Sequence, residues 1–193
     1  MIRKLLLLGA LMCGLAVGAP APSMAKPVPE DQRVPLDLRR TTLVVRDMDT
    51  SLRFYRDALG MKVTYDNVIR TPREAKTDAQ AERTLRLVLL RANDDFVGQI
   101  GLMQYTKPVR PPRPAKGDTT LRPGDIVLLF NTTKIAERYA QAIRSPGVRA
   151  AEAPHLTTYP SYDGKGVIRV MFSAMWDPDG HYVELNEVLG GLK

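Results

Sequence analysis

The sequence predicts an α+β fold of two βαβββ modules, and three observations predict it. The segment Thr41 to Val63, TTLVVRDMDTSLRFYRDALGMKV, reads as strand, capped helix, glycine stop and strand. The same order returns after Asp125, as strand, polar cap, helix, Gly147 and strand. Between them Lys107 to Gly124, KPVRPPRPAKGDTTLRPG, carries too much proline and charge to sit inside a sheet and so separates two halves.

Each element has a local reason. Leu38 to Val45 has the β-branched content of a strand, and Asp47 to Thr50 supplies polar caps for a helix running to about Leu59. Leu52, Tyr55 and Leu59 form an apolar helical stripe, while Arg53, Arg56 and Asp57 face water. Gly60 stops the helix, and Met61 to Ile69 is the next strand. The polar stretch Thr71 to Arg83 reads either as a solvated helix or as a flap over an open face. Thr84 to Arg91 and Phe96 to Tyr105 are strands around the turn at Ala92 to Asp95. In the second half the strand Asp125 to Phe130 precedes a helix from Lys134 to Ile143, with a short strand from Val148. A long loop is expected from Pro154 to Lys165, then the strand Gly166 to Met175. Asp177-Pro178-Asp179-Gly180 has proline at the second and glycine at the fourth place of a turn, leading into the strand Tyr182 to Val188.

Arg3 and Lys4 precede an apolar run from Leu5 to about Ala19 and a small-residue stretch ending at Ala25, the order of a secretory signal. That run is shorter than the ~20 residues that span a bilayer, so the mature chain is expected to be exported, periplasmic or secreted, with no membrane segment. The only cysteine, Cys13, lies within it. A mature chain of about 168 residues therefore has no disulfide, thiolate ligand or cysteine nucleophile to draw on. Its formal charge falls from +7 to about +5 with Arg3 and Lys4 removed. Lysine and arginine are scattered and aromatic residues are only 6%, which argues against nucleic acid as a partner. The expected organisation is a signal at 1–25, an arm at 26–36, module one at 37–106, a linker at 107–123, module two at 124–188 and a tail at 189–193.

The first segment, together with MWDPDGHYVELNEV from Met175 to Val188, resembles the vicinal oxygen chelate superfamily of glyoxalases, extradiol dioxygenases and fosfomycin or bleomycin resistance proteins. The resemblance implies that the two modules curl their sheets around a shared cavity that takes a small molecule, and that a homodimer is a usual assembly. It also implies a divalent metal at positions that align here with Arg40, Gly101, Asp125 and Glu184. Only Glu184 is of the common ligand type, and Asp125 is the one other residue able to join it on a hard cation. Arg40 offers donors only, and Gly101 has no side chain.

Alternation along the strands places Arg40, Thr42 and Val44 on the cavity face, with Gln99, Gly101, Met103 and Tyr105, then Asp125, Val127 and Leu129, and finally Tyr182, Glu184 and Asn186. The site read from this pattern is Arg40, Asp125 and Glu184 for polarity, Met103 and Tyr105 for walls, and His155 in a loop at the entrance. Two arrangements stay open: a charge cluster in which Arg40 bridges Asp125 and Glu184, and a divalent metal on Glu184 and Asp125 with His155. The first gives a metal-free binding protein for a small polar or anionic molecule. The second gives a lyase, isomerase or dioxygenase, and a ligand-free structural protein is the third reading. His181 reads as a solvent-exposed turn-edge residue, Tyr55 as core and Trp176 as a hairpin-edge packer. No phosphate loop, serine elbow or paired-cysteine motif is present.

Overall fold

A computed structural model describes residues 28–111, 120–162 and 164–190. The expected signal at 1–25, the middle of the linker and the end of the tail lie outside the described residues. Among the described residues no helix is long and apolar enough to cross a membrane.

Module one comprises β1 (Arg40–Val44), α1 (Met48–Leu52), β2 (Lys62–Thr71), β3 (Arg83–Arg91) and β4 (Gln99–Lys107), and α1 continues as a π-helical turn, Arg53–Ala58. Module two comprises β5 (Val127–Asn131), α2 (Ile135–Ala142), β6 (Arg149–Pro160), β7 (Val167–Trp176) and β8 (Tyr182–Gly190). Each module is one four-stranded sheet, ordered β1-β4-β3-β2 and β5-β8-β7-β6. In both, the first and last strands pair parallel and the other pairs are antiparallel. The βαβββ order expected from the sequence is therefore present twice, in two mixed sheets that do not close.

Local chemistry sets the helix ends. The Asp47 carboxylate accepts the Thr50 N–H at 2.7 Å, satisfying one of the free donors of α1. Gly60 ends the π-helical turn with φ of +81°, and a Cβ there would lie 3.1 Å from the Arg138 guanidinium. Glycine is thus required both by the turn and by the close approach of α2.

Both helices lie on the same side of the molecule, and the apolar faces beneath them merge. Leu43, Leu52, Phe54, Tyr55, Val88 and Leu102 of module one share a continuous core with Leu128, Ile135, Met175, Val183 and Leu185 of module two. At about 1.5–3 kcal/mol for each large apolar side chain buried, this shared layer makes the two modules one folding unit. The opposite face is open along β1 and β5, whereas on β7 and β8 it is lined by the buried Phe172, Ala174, Trp176 and Tyr182. Leu43 is 2% exposed whereas its neighbour Val44 is 50% exposed, and Leu129 is 55% exposed. The alternation expected along β1, β5 and β8 is the one observed.

Several local expectations are corrected. The segment expected as a long loop from Pro154 is mostly strand, since β6 runs to Pro160 and pairs with β7 throughout. β6 is an edge strand with two register shifts, and prolines are tolerated at such places because no second neighbour needs their missing N–H. Thr71 to Arg83 is neither helix nor detached flap. Arg70 pairs with Asp78 at 2.8 Å, and Lys107 Nζ donates to the Asp78 carbonyl at 2.7 Å, tying the segment to the sheet.

Candidate functional site

Three places gather polar side chains, and they differ in how completely those groups are partnered. The first is the turn between β7 and β8, which docks on the helix of module one. Asp177 is 1% exposed, and its carboxylate accepts the Tyr55 hydroxyl at 2.8 Å, His181 Nδ1 at 3.0 Å, the His181 N–H at 2.8 Å and the Asp179 N–H at 2.9 Å. Burial opposes ionisation of Asp177, but the hydrogen bonds from His181 and Tyr55 outweigh it and hold the carboxyl below its ordinary range. The same burial, then the charge of Asp177, push the Tyr55 phenol well above its ordinary range. Next to them Asp179 takes the Arg46 guanidinium at 2.9 Å and Ser51 Oγ at 3.2 Å. His181 is accordingly not a solvent-exposed turn residue. It closes a Tyr55–Asp177–His181 set that joins the modules.

The second place is a cleft of about 310 Å³ at the seam, with β1 and β4 on one side and β5 on the other. Leu38, Ile100, Leu128, Leu129 and Phe130 give it apolar walls, and Arg40, Thr41, Gln99 and Asn131 are its polar members. The Arg40 guanidinium forms no hydrogen bond or ion pair among the described residues, and its side chain lies over Gly101, where a Cβ would meet Thr42 Oγ1 at 2.8 Å and Arg40 Cδ at 3.1 Å. Gln99 is 4% exposed, donates to the Asp95 carbonyl at 2.5 Å, and leaves its own Oε1 without a donor.

The third place is the face of module two opposite its helix, where Phe172, Ala174, Trp176 and Tyr182 form a small buried cluster. Glu184 lies there between Leu129 and Ala174, and burial followed by the charge of Glu152 raises its carboxyl above the ordinary range. Trp176 packs edge-on against Tyr182 at 4.9 Å between centroids and is 1% exposed, so it belongs to this floor rather than to the hairpin edge.

The residues read from the sequence do not meet in one site. Arg40 lines the seam cleft, and Met103 and Tyr105 lie further along β4 on the open face of module one, with Arg110 over the Tyr105 ring. Asp125 precedes β5 instead of belonging to it, and its carboxylate accepts the Arg122 N–H at 2.9 Å, a turn contact that the strand reading did not contain. His155 is on β6 and not in an entrance loop, with its ring 5.5 Å from Phe172. The bridge from Arg40 to Asp125 and Glu184 is not formed; the charge acting on Glu184 is that of Glu152. Reasoning from the sequence passed over Glu152, Phe172 and the buried role of Asp177. The turn motif around Asp177 was visible, but Tyr55 lies more than a hundred residues away.

A sequence model of the Glyoxalase/Bleomycin resistance protein/Dioxygenase superfamily matches residues 37–185. The chain belongs to this superfamily. Among solved structures, a glyoxalase family protein from Bacillus cereus is similar with a TM-score of 0.61 at 14% identity, over 82% of this chain and 98% of that one. The trypanothione-dependent glyoxalase I of Leishmania major gives 0.48 at 22% identity, over 79% of this chain and 86% of that one. A glyoxalase/bleomycin resistance protein/dioxygenase family enzyme from Burkholderia phytofirmans gives 0.46 at 14%, over 79% and 99%. At these identities the likeness is one of fold. No curated protein matches the chain in sequence.

Divalent metals are common in the superfamily, and the donor set of this member does not fit one. Guanidinium has no lone pair to give, Arg40 and Thr42 occupy the space a side chain at Gly101 would need, and the Asp125 carboxylate serves a turn. Among the described residues no three His, Cys, Asp or Glu side chains converge as a metal site would require.

Proposed function

We propose that this superfamily member is an exported binding protein that holds a small polar or anionic molecule in the cleft between its two modules. Export rests on the order of charge, apolar run and small residues at 1–25. The observation that carries the binding reading is the seam cleft, where Arg40 and Gln99, whose buried Oε1 lacks a donor, line one cleft with apolar walls. A ligand carboxylate pairs with Arg40, and a ligand N–H or O–H satisfies Gln99 Oε1 when the amide turns toward the cleft. The cleft volume is within the ~300–1,000 Å³ of small-molecule sites, and its apolar walls suit a flat hydrocarbon body. A homodimer belongs to the same reading, supported by the exposed Val44, Tyr65, Ile69 and Val127 on the open sheet faces.

The test is thermal stabilisation by 4-hydroxybenzoate, which carries both functions, against benzyl alcohol, which lacks the carboxylate. A ligand that binds only the folded form raises the melting temperature with concentration. The acid is expected to stabilise the protein and the alcohol not. Arg40→Ala is expected to abolish the effect without changing the melting temperature of the free protein, because Arg40 is exposed. Equal stabilisation of the variant, or none by the acid, overturns the reading. So does near-stoichiometric metal in protein purified without chelator, if that metal is lost in Glu184→Gln.

A further inference from the structure

The seam cleft is bordered by the edges of two strands. Along β5 its lining takes Leu128, Leu129, Phe130 and Asn131 in succession, and along β1 it takes Arg40 and Thr41. A sheet face would contribute every second residue, because successive side chains point to opposite sides. Both strands are outermost in their sheets, β1 paired with β4 alone and β5 with β8 alone, and they do not pair with each other.

Hydrogen bonds at the strand ends fix which backbone groups are left over. Gln99 N–H donates to the Arg39 carbonyl at 3.2 Å, Val45 N–H to the Met103 carbonyl at 3.0 Å, and Thr132 N–H to the Asn186 carbonyl at 2.8 Å. The N–H and C=O of one strand residue point to the same edge, and the edge alternates along the strand. Arg39, Thr41 and Leu43 therefore face β4, and Leu128, Phe130 and Thr132 face β8. Arg40 on β1, with Leu129 and Asn131 on β5, turn their N–H and C=O outward, toward the seam.

The side chains around the cleft are sorted by face. Ile100, Leu128 and Phe130 stand on the helix side, against the shared core. Arg40, Gln99 and Asn131 stand on the other side, where the Arg40 chain lies over Gly101. An occupant that meets all of these walls carries donors and acceptors along both edges, apolar groups on one face and an anion on the other. An extended peptide does so, since its side chains alternate as those of the flanking strands do.

Resting on the reading of the seam as the binding site, we propose that its ligand is a short extended peptide of apolar, acidic, apolar pattern, added as a strand between β1 and β5. The acidic side chain meets the Arg40 guanidinium, and its apolar neighbours meet Ile100, Leu128 and Phe130. Main-chain hydrogen bonds at an open sheet edge give affinity, and pockets for alternate side chains give specificity. The arm of the protein holds such a pattern in Leu36-Asp37-Leu38, with Leu36 79% and Leu38 78% exposed. It does not fold back into its own seam, because Leu38 and Arg39 would then be the two residues of a hairpin turn that calls for glycine or asparagine.

Titration calorimetry of the purified protein compares N-acetyl-Leu-Asp-Leu-amide, its asparagine analogue, its analogue N-methylated at the aspartate, and 4-hydroxybenzoate. The parent peptide is expected to bind about tenfold more tightly than 4-hydroxybenzoate, and about tenfold more weakly after loss of the carboxylate, after N-methylation, or in Arg40→Ala. Hydrogen exchange followed by NMR reads the backbone. The amides of Arg40, Leu129 and Asn131 should exchange about tenfold more slowly with the peptide bound and at an unchanged rate with 4-hydroxybenzoate. Equal affinity of the N-methylated peptide, or unchanged exchange at these amides, overturns the proposal. If 4-hydroxybenzoate binds through Arg40 and the peptide does not, strand insertion fails while the small-molecule reading stands; if neither binds, both fall. A dimer of the free protein that Asp37→Asn dissociates would put the arm of a second copy in the seam and overturn a separate peptide as its occupant.

Discussion

The turn that joins the modules and the far face of module two adjoin the same two strands, yet the buried polar groups of one are fully partnered and those of the other are not. At the end of β7 the Asp177 carboxylate receives donors from its own turn and from Tyr55 of the other module. A few residues along β8, Glu184 faces a second carboxylate across Ala174, and Asn186 lacks a donor. A buried acceptor with all its donors in the chain contributes stability, and it has nothing left to offer a ligand. A buried acceptor left short is instead a cost that the surrounding apolar packing offsets. The difference also separates two look-alikes, because a tyrosine, an aspartate and a histidine in hydrogen-bonded series resemble a catalytic set although Asp177 is sealed at the module junction.

The largest effect expected from this contrast is at the junction. Asp177→Ala leaves the Tyr55 hydroxyl and His181 Nδ1 without their acceptor in a sealed site, and a loss of about 3 to 5 kcal/mol in urea unfolding is expected. Because the folded carboxyl titrates below its unfolded range, its contribution is full above that range and fades as pH falls through the folded value. The deficit of the variant should therefore shrink in acid. A loss under about 1 kcal/mol, typical of an exposed ion pair, would show that the shared apolar layer alone holds the modules together.

An intermediate effect is expected on the face of module one. The Cβ introduced by Gly101→Ala would lie 2.8 Å from Thr42 Oγ1 and 3.1 Å from Arg40 Cδ. Overpacking of this kind costs about 1 to 3 kcal/mol. Arg40 is a flexible side chain and Thr42 a stiff β-branched one, so Arg40→Ala should relieve the 3.1 Å contact and part of the loss, leaving that with Thr42, a non-additivity read from a double-mutant cycle. Strict additivity would place the strain at Thr42 and remove Arg40 from the account of why residue 101 is glycine.

What the sequence disclosed follows the range of the interactions. Asp47 as a cap, Gly60 as a stop, the turn at Asp177 to Gly180 and the alternation of Leu43 with Val44 are local, and each was legible. The grouping of site residues was not, because it depends on how strands register. Arg40 and Glu184 were read to the same face, but they belong to different sheets, and what lies beside Glu184 is decided by the bulged pairing of β6 with β7. Pro154 and Pro160 concealed that strand, since prolines in a polar stretch look like a loop until an edge position makes them admissible. The Tyr55 to Asp177 hydrogen bond crosses from one module to the other, and no spacing in the chain encodes it.

The smallest effect, and the one most specific to the far face of module two, concerns Glu184. Burial, then the neighbouring charge of Glu152, raise its folded carboxyl above the unfolded value, so the folded state holds its proton more tightly than the unfolded state does. Stability linked to this group is present at low pH and lost as pH rises through the folded value. At neutral pH the ionised carboxylate is therefore a burden, and Glu184→Gln should raise the melting temperature slightly there while leaving it unchanged in acid, where both side chains are neutral. This is opposite in sign to Asp177→Ala although both changes remove a carboxylate from the same pair of strands. Melting curves of the two variants across pH separate the cases directly. A destabilised Glu184→Gln at neutral pH would mean that the carboxylate is already neutralised within the chain, and it would move Glu184 from the unpartnered class to the partnered one.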